Sequence, residues 1–519
     1  MQQPLYVLSE SSQRTSGLDA RRSNAAAGRA VASAVRTTLG PRGMDKMLVD
    51  TAGDVVVTND GATILGEMDI EHPAARMLVE VAESQESAVG DGTTTAAVLA
   101  GELLARAEDL LDDDVHATAV VEGYHEAMRL ALDAVDGMVL DGAVDRDALV
   151  RLARSAMTGK GTGDLATDAL AEIVADAVLQ VADDDRRVDR DDIRVFARTG
   201  ASAAATELVR GVVFEGEPAT DTMPRGVEDA AVAVLDTTLD VRSGEVDTEY
   251  TITSADQLDA ALSAEDAERR AIAETLAEAG VDVVFCSKKV SDPVAAYLAD
   301  AGVLAFSNVT AAEARAVARA TGARRLGTLD GIEADDLGAA ASVRVERHGD
   351  DDVTFLEGTD DSRTVTLYVR GSTDHVVDET ERAIDDALGV VVAAHEDGEV
   401  VPGAGAVEVA VADRLRSGAS AVTGRKSLAV EAFADAVDAI PRTLAENAGL
   451  DPIDALVDLR ARHEREGVAG VVIDGPSVDV ADPADGDVVD PAAVKREALE
   501  SATEAATMIL RIDDVIAAN

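Results

Sequence analysis

Apolar residues recur at three- and four-residue spacing, with alanine filling the positions between, over 17–38, 73–88, 94–111 and 117–135, and this period predicts helices there. A different pattern interrupts them. Residues 54–58 are rich in β-branched side chains, Asn59-Asp60-Gly61 has turn chemistry and 62–65 is apolar again, which predicts a short hairpin. Between about Val212 and Val369, strand-like runs at 230–235, 281–286 and 364–369 alternate with helical stretches, the texture of an α/β segment. Long alanine-rich helices return after Val376. Helix-rich ends around an α/β middle predict either three consecutive domains or one helical domain split by an insertion. Gly211 and Gly371 bracket the middle segment and favour the insertion, because a two-stranded hinge needs permissive backbone. Each also reads as an ordinary turn residue.

A length of 519 residues calls for about three structural units at roughly 150 residues each. With 6 Phe, 5 Tyr and no Trp in a chain that is 47% hydrophobic, the cores must be built from Ala, Val, Leu and Ile. Charge changes the picture further: 46 Lys+Arg against 100 Asp+Glu leave a net −54, on a chain apolar enough to fold. Only six basic residues are lysine (Lys46, Lys160, Lys288, Lys289, Lys426 and Lys495). Dense carboxylates with little lysine resemble the proteins of salt-accumulating halophilic archaea, where molar salt shortens the Debye length to about 3 Å and screens self-repulsion. The same charge excludes nucleic acid and anionic membrane surfaces as partners. A lone Cys286 rules out a disulfide framework and a cysteine zinc cage. No apolar run reaches the roughly 18 residues of a membrane span, and the N-terminal MQQPLYVLSE is not a secretory signal, so a cytoplasmic protein is expected.

There is no P-loop, no strand-linked G-x-G-x-x-G and no H-E-x-x-H. The strongest chemical signal is Gly90-Asp91-Gly92-Thr93-Thr94-Thr95 directly before a predicted helix. Its glycines allow close approach of a ligand, its hydroxyls and free helix N–H groups suit phosphate, and Asp91 suits the accompanying cation. Asp-Gly-Thr ahead of a helix is, on its own, more often an N-cap. Asp60 reads as a turn aspartate. Asp386 falls on the polar side of a helix over 375–394 whose apolar side runs Val377, Ile384, Leu388 and Val391, the usual pattern of a solvated face. Lys160, between Gly159 and Gly161, reads as a loop lysine.

Together these segments resemble the group II chaperonins, the archaeal thermosome and its eukaryotic relatives. The resemblance is carried by TTLGPRGMDK at 37–46, TNDGATIL at 58–65, GDGTTT at 90–95 and SATEAATMILRIDDVIAA at 501–518. It continues through VVPGAGAVE at 400–408 and 432–456, covers essentially the whole chain and is weakest over 181–367. It implies a multidomain α+β fold: a helical equatorial ATPase domain from both termini (1–143 and 402–519), a two-segment intermediate domain (144–211 and 367–401) and an inserted α/β apical domain (212–366) with a helical lid protrusion over 240–279. It also implies ATP and Mg²⁺ as cofactors. By match to the family motifs, Asp60 and Asp386 orient the attacking water and Asp91 holds the metal. Leu39, Gly40, Pro41, Gly61, Gly92, Thr93, Thr94 and Thr95 line the phosphates, Lys160 senses the γ-phosphate, and Gly403, Gly405 and Asp490 border the nucleoside.

The expected function is thus an ATP-dependent chaperone subunit of a double ring, homo- or hetero-oligomeric with paralogous subunits, that encloses non-native polypeptides and closes a built-in lid. The alternative is a structural, weakly hydrolysing paralogue of a hetero-oligomeric ring. Three departures from the family pattern bear on that choice. Ala404 interrupts the glycine triplet, Ser372 replaces the second glycine of the hinge pair, and no Gly-Met-rich tail precedes Asn519.

Overall fold

In a computed structural model, described here over residues 13–49, 53, 55–142, 144–159, 164–241, 254–349, 351–359 and 362–517, the chain divides into two units. One comprises 1–175 and 382–519, the other 176–381. The architecture is α+β.

The first unit is mainly helical. Its innermost element is the helix Thr93–Asp112, which buries residues on every side, among them Val98, Leu99, Leu103 and Leu104. Such all-round burial requires neighbours on all faces. They come from both chain ends: Leu18–Val35 and Pro73–Val89 before it, Ala117–Asp136, Lys426–Val437 and Ala492–Leu510 after it. Because most of the facing side chains are Ala, Val and Leu, the helices approach closely, and burying each Leu or Val contributes about 1.5–3 kcal/mol. Among the described residues its one aromatic pair is Tyr124 edge-on to Phe433, ring centres 5.5 Å apart, with the Tyr124 hydroxyl donating to the Leu103 carbonyl at 2.7 Å.

The expected helices lie within one to three residues of Leu18–Val35, Pro73–Val89, Thr93–Asp112 and Ala117–Asp136. The expected hairpin is wrong in its second half. Strand Val55–Thr58 pairs upstream with Lys46–Val49, and Gly61–Glu67 is a helix. The cause is local: the Asp60 carboxylate accepts from the Thr63 N–H at 2.6 Å and caps a helix rather than closing a turn. Adjacent Ile64 and Leu65 are both buried, which an alternating strand facing one core does not allow.

The second unit carries a mixed sheet in the order Gly211–Glu215, Asp351–Gly358, Gly338–His348, Gly226–Leu235, Val283–Cys286, Leu304–Phe306, with Arg325–Leu326 also paired to Gly226–Leu235. Its first strands are antiparallel and its last are parallel. Phe285 stacks on Phe306 at 4.9 Å with Phe214 edge-on to both, so the scarce aromatics are concentrated here. A second sheet joins Ile193–Thr199, Val365–Gly371 and Glu207–Val209. Gly211, the first residue of an edge strand of the mixed sheet, and Gly371, the last residue of the middle strand of the second sheet, are buried strand residues rather than turn residues.

Of the expected lid over 240–279, residues 242–253, including the strand expected at 245–252, lie outside the described residues. The remainder is the helix Ala255–Glu278, exposed throughout 255–268, with Leu258 and Leu262 at 45% and 55% exposure and only Ala273 and Leu276 buried. No helix among the described residues is long and apolar enough to cross a membrane.

Candidate functional site

The helix Pro73–Val89 ends on Gly90 in the left-handed region (φ 68°), and Gly92 (φ 81°) is the N-cap of Thr93–Asp112. The first backbone bond of the new helix is Ala96 N–H to the Gly92 carbonyl, 2.9 Å. The N–H groups of Thr93, Thr94 and Thr95 therefore precede the hydrogen-bond ladder and carry the positive end of the helix dipole. Thr93 and Thr94 are buried.

Two supports hold this loop. Gln85, fully buried on the preceding helix, donates from Nε2 to the Asp91 carbonyl at 2.9 Å and to the Val494 carbonyl at 3.3 Å. On the other side, a Cβ placed on Gly90 would lie 2.5 Å from the Cα of Gly389, so the helix Asp374–Asp397 touches the loop backbone to backbone. Asp386, about one turn before Gly389, is brought to the same cavity by that contact. It is half-buried, which corrects the solvated face expected from the helical pattern.

The cavity has a volume of about 430 Å³ and lies wholly within the helical unit. Asp60, Asp91 and Asp386 all line it, together with Leu39, Gly40, Pro41, Gly61, Gly92 and Thr93 to Thr95. Asp60 is fixed at both ends, its N–H donating to Thr58 Oγ1 at 3.1 Å and its Oδ2 capping Thr63. Asn447 Nδ2 pins the 39–41 turn by donating to the carbonyls of Leu39 and Arg36, at 2.8 and 3.1 Å. The helix Ala439–Asn447 is itself anchored by Arg416 and Arg460, which converge on the buried Asp438 carboxylate at its start.

Apolar walls complete the cavity, with Ile440, Leu444, Val471, Ile473, Val488 and Val494 among them, beside Ala404, Gly405 and Asp490. Ala404 takes the left-handed conformation, φ 57°, a strained one for alanine. Gly403 stands just outside the lining, its N–H bonded to the Val488 carbonyl at 3.0 Å. Lys160 lies outside the described residues. Among the described residues, no group of three or more His, Cys, Asp or Glu forms a ready-made metal cage.

Sequence reasoning missed Gln85, Glu86, Arg151, Glu408 and Lys495. Glu86, Arg151 and Lys495 line the cavity, Gln85 holds its loop, and Glu408 pairs with Lys495 at 2.9 Å. Polar residues on helices of so acidic a chain read as solvent-facing, and only the rarity of lysine could have drawn attention to Lys495.

A model of the TCP-1/cpn60 chaperonin family matches residues 31–519. The chain is 65% identical to "Thermosome subunit 3" of Haloferax volcanii over all of this chain and 99% of that protein. It is 52% identical to "Thermosome subunit 1" of the same organism, over 99% of this chain and 92% of that one. Identity to "Thermosome subunit beta" of Methanothermobacter thermautotrophicus is 48%, over 100% and 95% of the two chains. The chain belongs to the TCP-1/cpn60 chaperonin family. Within it, this is a group II chaperonin subunit of the halophilic archaeal type, a subunit of a ring-forming chaperone.

Proposed function

We propose that the cavity binds ATP with Mg²⁺ and hydrolyses it, and that the chain works within a double ring that encloses non-native polypeptides. One observation carries the reading: a buried threonine-rich helix start and the carboxylates of Asp60, Asp91 and Asp386 surround a single cavity that also has apolar walls. A helix N-terminus with free N–H groups and hydroxyls receives phosphate, and apolar walls suit a nucleobase.

The three carboxylates, with Glu86 beside them, would repel a polyphosphate, so a divalent cation has to accompany it. The donor set fits Mg²⁺, which takes one or two carboxylates and completes its shell with phosphate oxygens and water rather than using an all-protein cage. Asp91 is its ligand in this reading. Held there, Mg²⁺ would supply positive charge against the charge that develops on the phosphates. Leu39 to Pro41, Gly61, Gly92 and the threonines hold the triphosphate, and Asp60 and Asp386 accept hydrogen bonds from a water and orient it for attack. Gly403, Gly405 and Asp490 border the nucleoside, and Lys160 senses the γ-phosphate.

The same reading assigns 1–143 with 402–519 to an equatorial domain, 144–211 with 367–401 to an intermediate domain and 212–366 to an apical domain, whose exposed helix Ala255–Glu278 belongs to a lid. Two numbered thermosome subunits of Haloferax volcanii are similar to this chain, which supports a hetero-oligomeric ring; the same reading assigns that ring to the cytoplasm. The test is turnover by the purified chain in molar KCl, with rings verified by electron microscopy. Hydrolysis that requires Mg²⁺ and stops with chelator is expected. Rings that neither bind nor hydrolyse ATP would refute the assignment.

A further inference from the structure

Lys495 is one of six lysines in the chain, and it is enclosed, its side chain only 13% exposed. It belongs to the first turn of the helix Ala492–Leu510 and reaches two carboxylates: Nζ is 2.9 Å from Glu408 Oε1 and 2.8 Å from Asp490 Oδ2. Glu408, in the first turn of Ala406–Ala419, is buried, and its Oε2 has no hydrogen-bond partner. Burial works against the ammonium charge, but Asp490 and Glu408 outweigh it and hold the Lys495 pKa above the ordinary lysine value. A buried charge of this kind is tolerated only when paired. In a chain that uses arginine almost everywhere, a retained lysine suits a site where one compact charge must face two carboxylates, which a planar guanidinium fork does not match.

The consequence falls on Asp490. Lys495 takes its Oδ2 and leaves its Oδ1, which lies beside Gly403, 3.2 Å from where an added Cβ would stand. Asp490 lines the cavity, and an ionised carboxylate can only accept hydrogen bonds, so the complementary groups of a ligand are donors. An adenine nucleoside offers two kinds of donor, the ribose hydroxyls and the N6 amino group, and a comparison of ADP with 2′-deoxyADP tells them apart.

We infer that Lys495, with Glu408 as its second anchor, is a positioning residue that clamps Asp490 so that Oδ1 takes the sugar hydroxyls and makes the site selective for ribonucleotides. The inference rests on the nucleotide reading of the cavity. Removing Lys495 alone would strand two carboxylates, so the informative variant is the charge-matched Glu408→Gln/Lys495→Met, with Glu408→Gln as control because it keeps the Lys495–Asp490 pair. Calorimetric titration of assembled rings in molar KCl with ADP and with 2′-deoxyADP reads the effect, alongside steady-state ATP turnover. Wild type and Glu408→Gln should prefer ADP by about tenfold, the size of one charge-assisted hydrogen bond. In the double variant ADP affinity should fall about tenfold and the preference should shrink to within about twofold, with kcat within about threefold of wild type. A double variant that keeps the preference overturns the inference. So does wild-type protein that binds ADP and 2′-deoxyADP equally, a measurement that needs no variant. Wild-type rings that bind no nucleotide overturn the reading of the cavity and this inference with it.

Discussion

Gly90 and Gly467 are matched residues in unmatched surroundings. Both end a helix in the left-handed region, at φ 68° and 83°. Alanine at either position costs about 1–2 kcal/mol for the backbone conformation, less up to about 1 kcal/mol recovered because the unfolded chain is less free. At Gly467 nothing lies within 4 Å of the added Cβ; at Gly90 it would meet Gly389 Cα at 2.5 Å and Gly389 C at 3.2 Å. Carbon atoms are comfortable at about 3.5–4.0 Å, so the helix that carries Asp386 has to retreat by about 1 Å. Displacement of that size costs on the order of 100-fold in rate at a site that depends on alignment, and the overpacking adds about 1–3 kcal/mol of instability. Gly467→Ala should therefore lower stability by about 1 kcal/mol and leave turnover within about twofold, whereas Gly90→Ala should lower stability by about 2–4 kcal/mol and turnover by about 100-fold. The assay is ATP turnover in molar KCl, normalised to assembled rings, with the thermal midpoint of each variant. Wild-type turnover by Gly90→Ala, or equal losses in the two variants, would show that the contact with Gly389 does not position Asp386.

Other consequences are simpler to check. With a net −54 charges, the thermal midpoint should rise between about 0.1 M and several molar KCl, and a flat profile would contradict screening as the source of stability. Ala404→Gly relieves a left-handed alanine and should raise stability by about 0.5–1 kcal/mol in denaturant titration; a decrease would mean that the strain is absorbed elsewhere. The exposed stretch 255–268 should be cut readily by protease in the nucleotide-free ring and protected by an ATP transition-state mimic, and equal cleavage would remove it from the lid.

Much of this was legible in the pattern of residues because the helices are long and strongly periodic, and because alanine-rich helices need few exceptions to pack. The errors are local and have local causes. Residues 59–65 read as a turn and a strand because Asp-Gly serves both a hairpin and a helix start, and only the Asp60 to Thr63 hydrogen bond decides between them. Asp386 reads as solvated because periodicity reports which side of a helix is polar, not what that side meets. The supports of the site were the least visible. Gln85 acts through a backbone carbonyl, and Glu408 and Lys495 meet across 87 residues of sequence, a separation at which spacing carries no information.

In the proposed mechanism Asp386 serves hydrolysis rather than nucleotide binding. Asp386→Ala, assembled in molar KCl, should bind ATP with near wild-type affinity while its single-turnover hydrolysis falls by about 1,000-fold or more, within the range seen when a group that orients a nucleophile is removed. Unchanged hydrolysis by that variant, with rings intact, would remove Asp386 from the catalytic step.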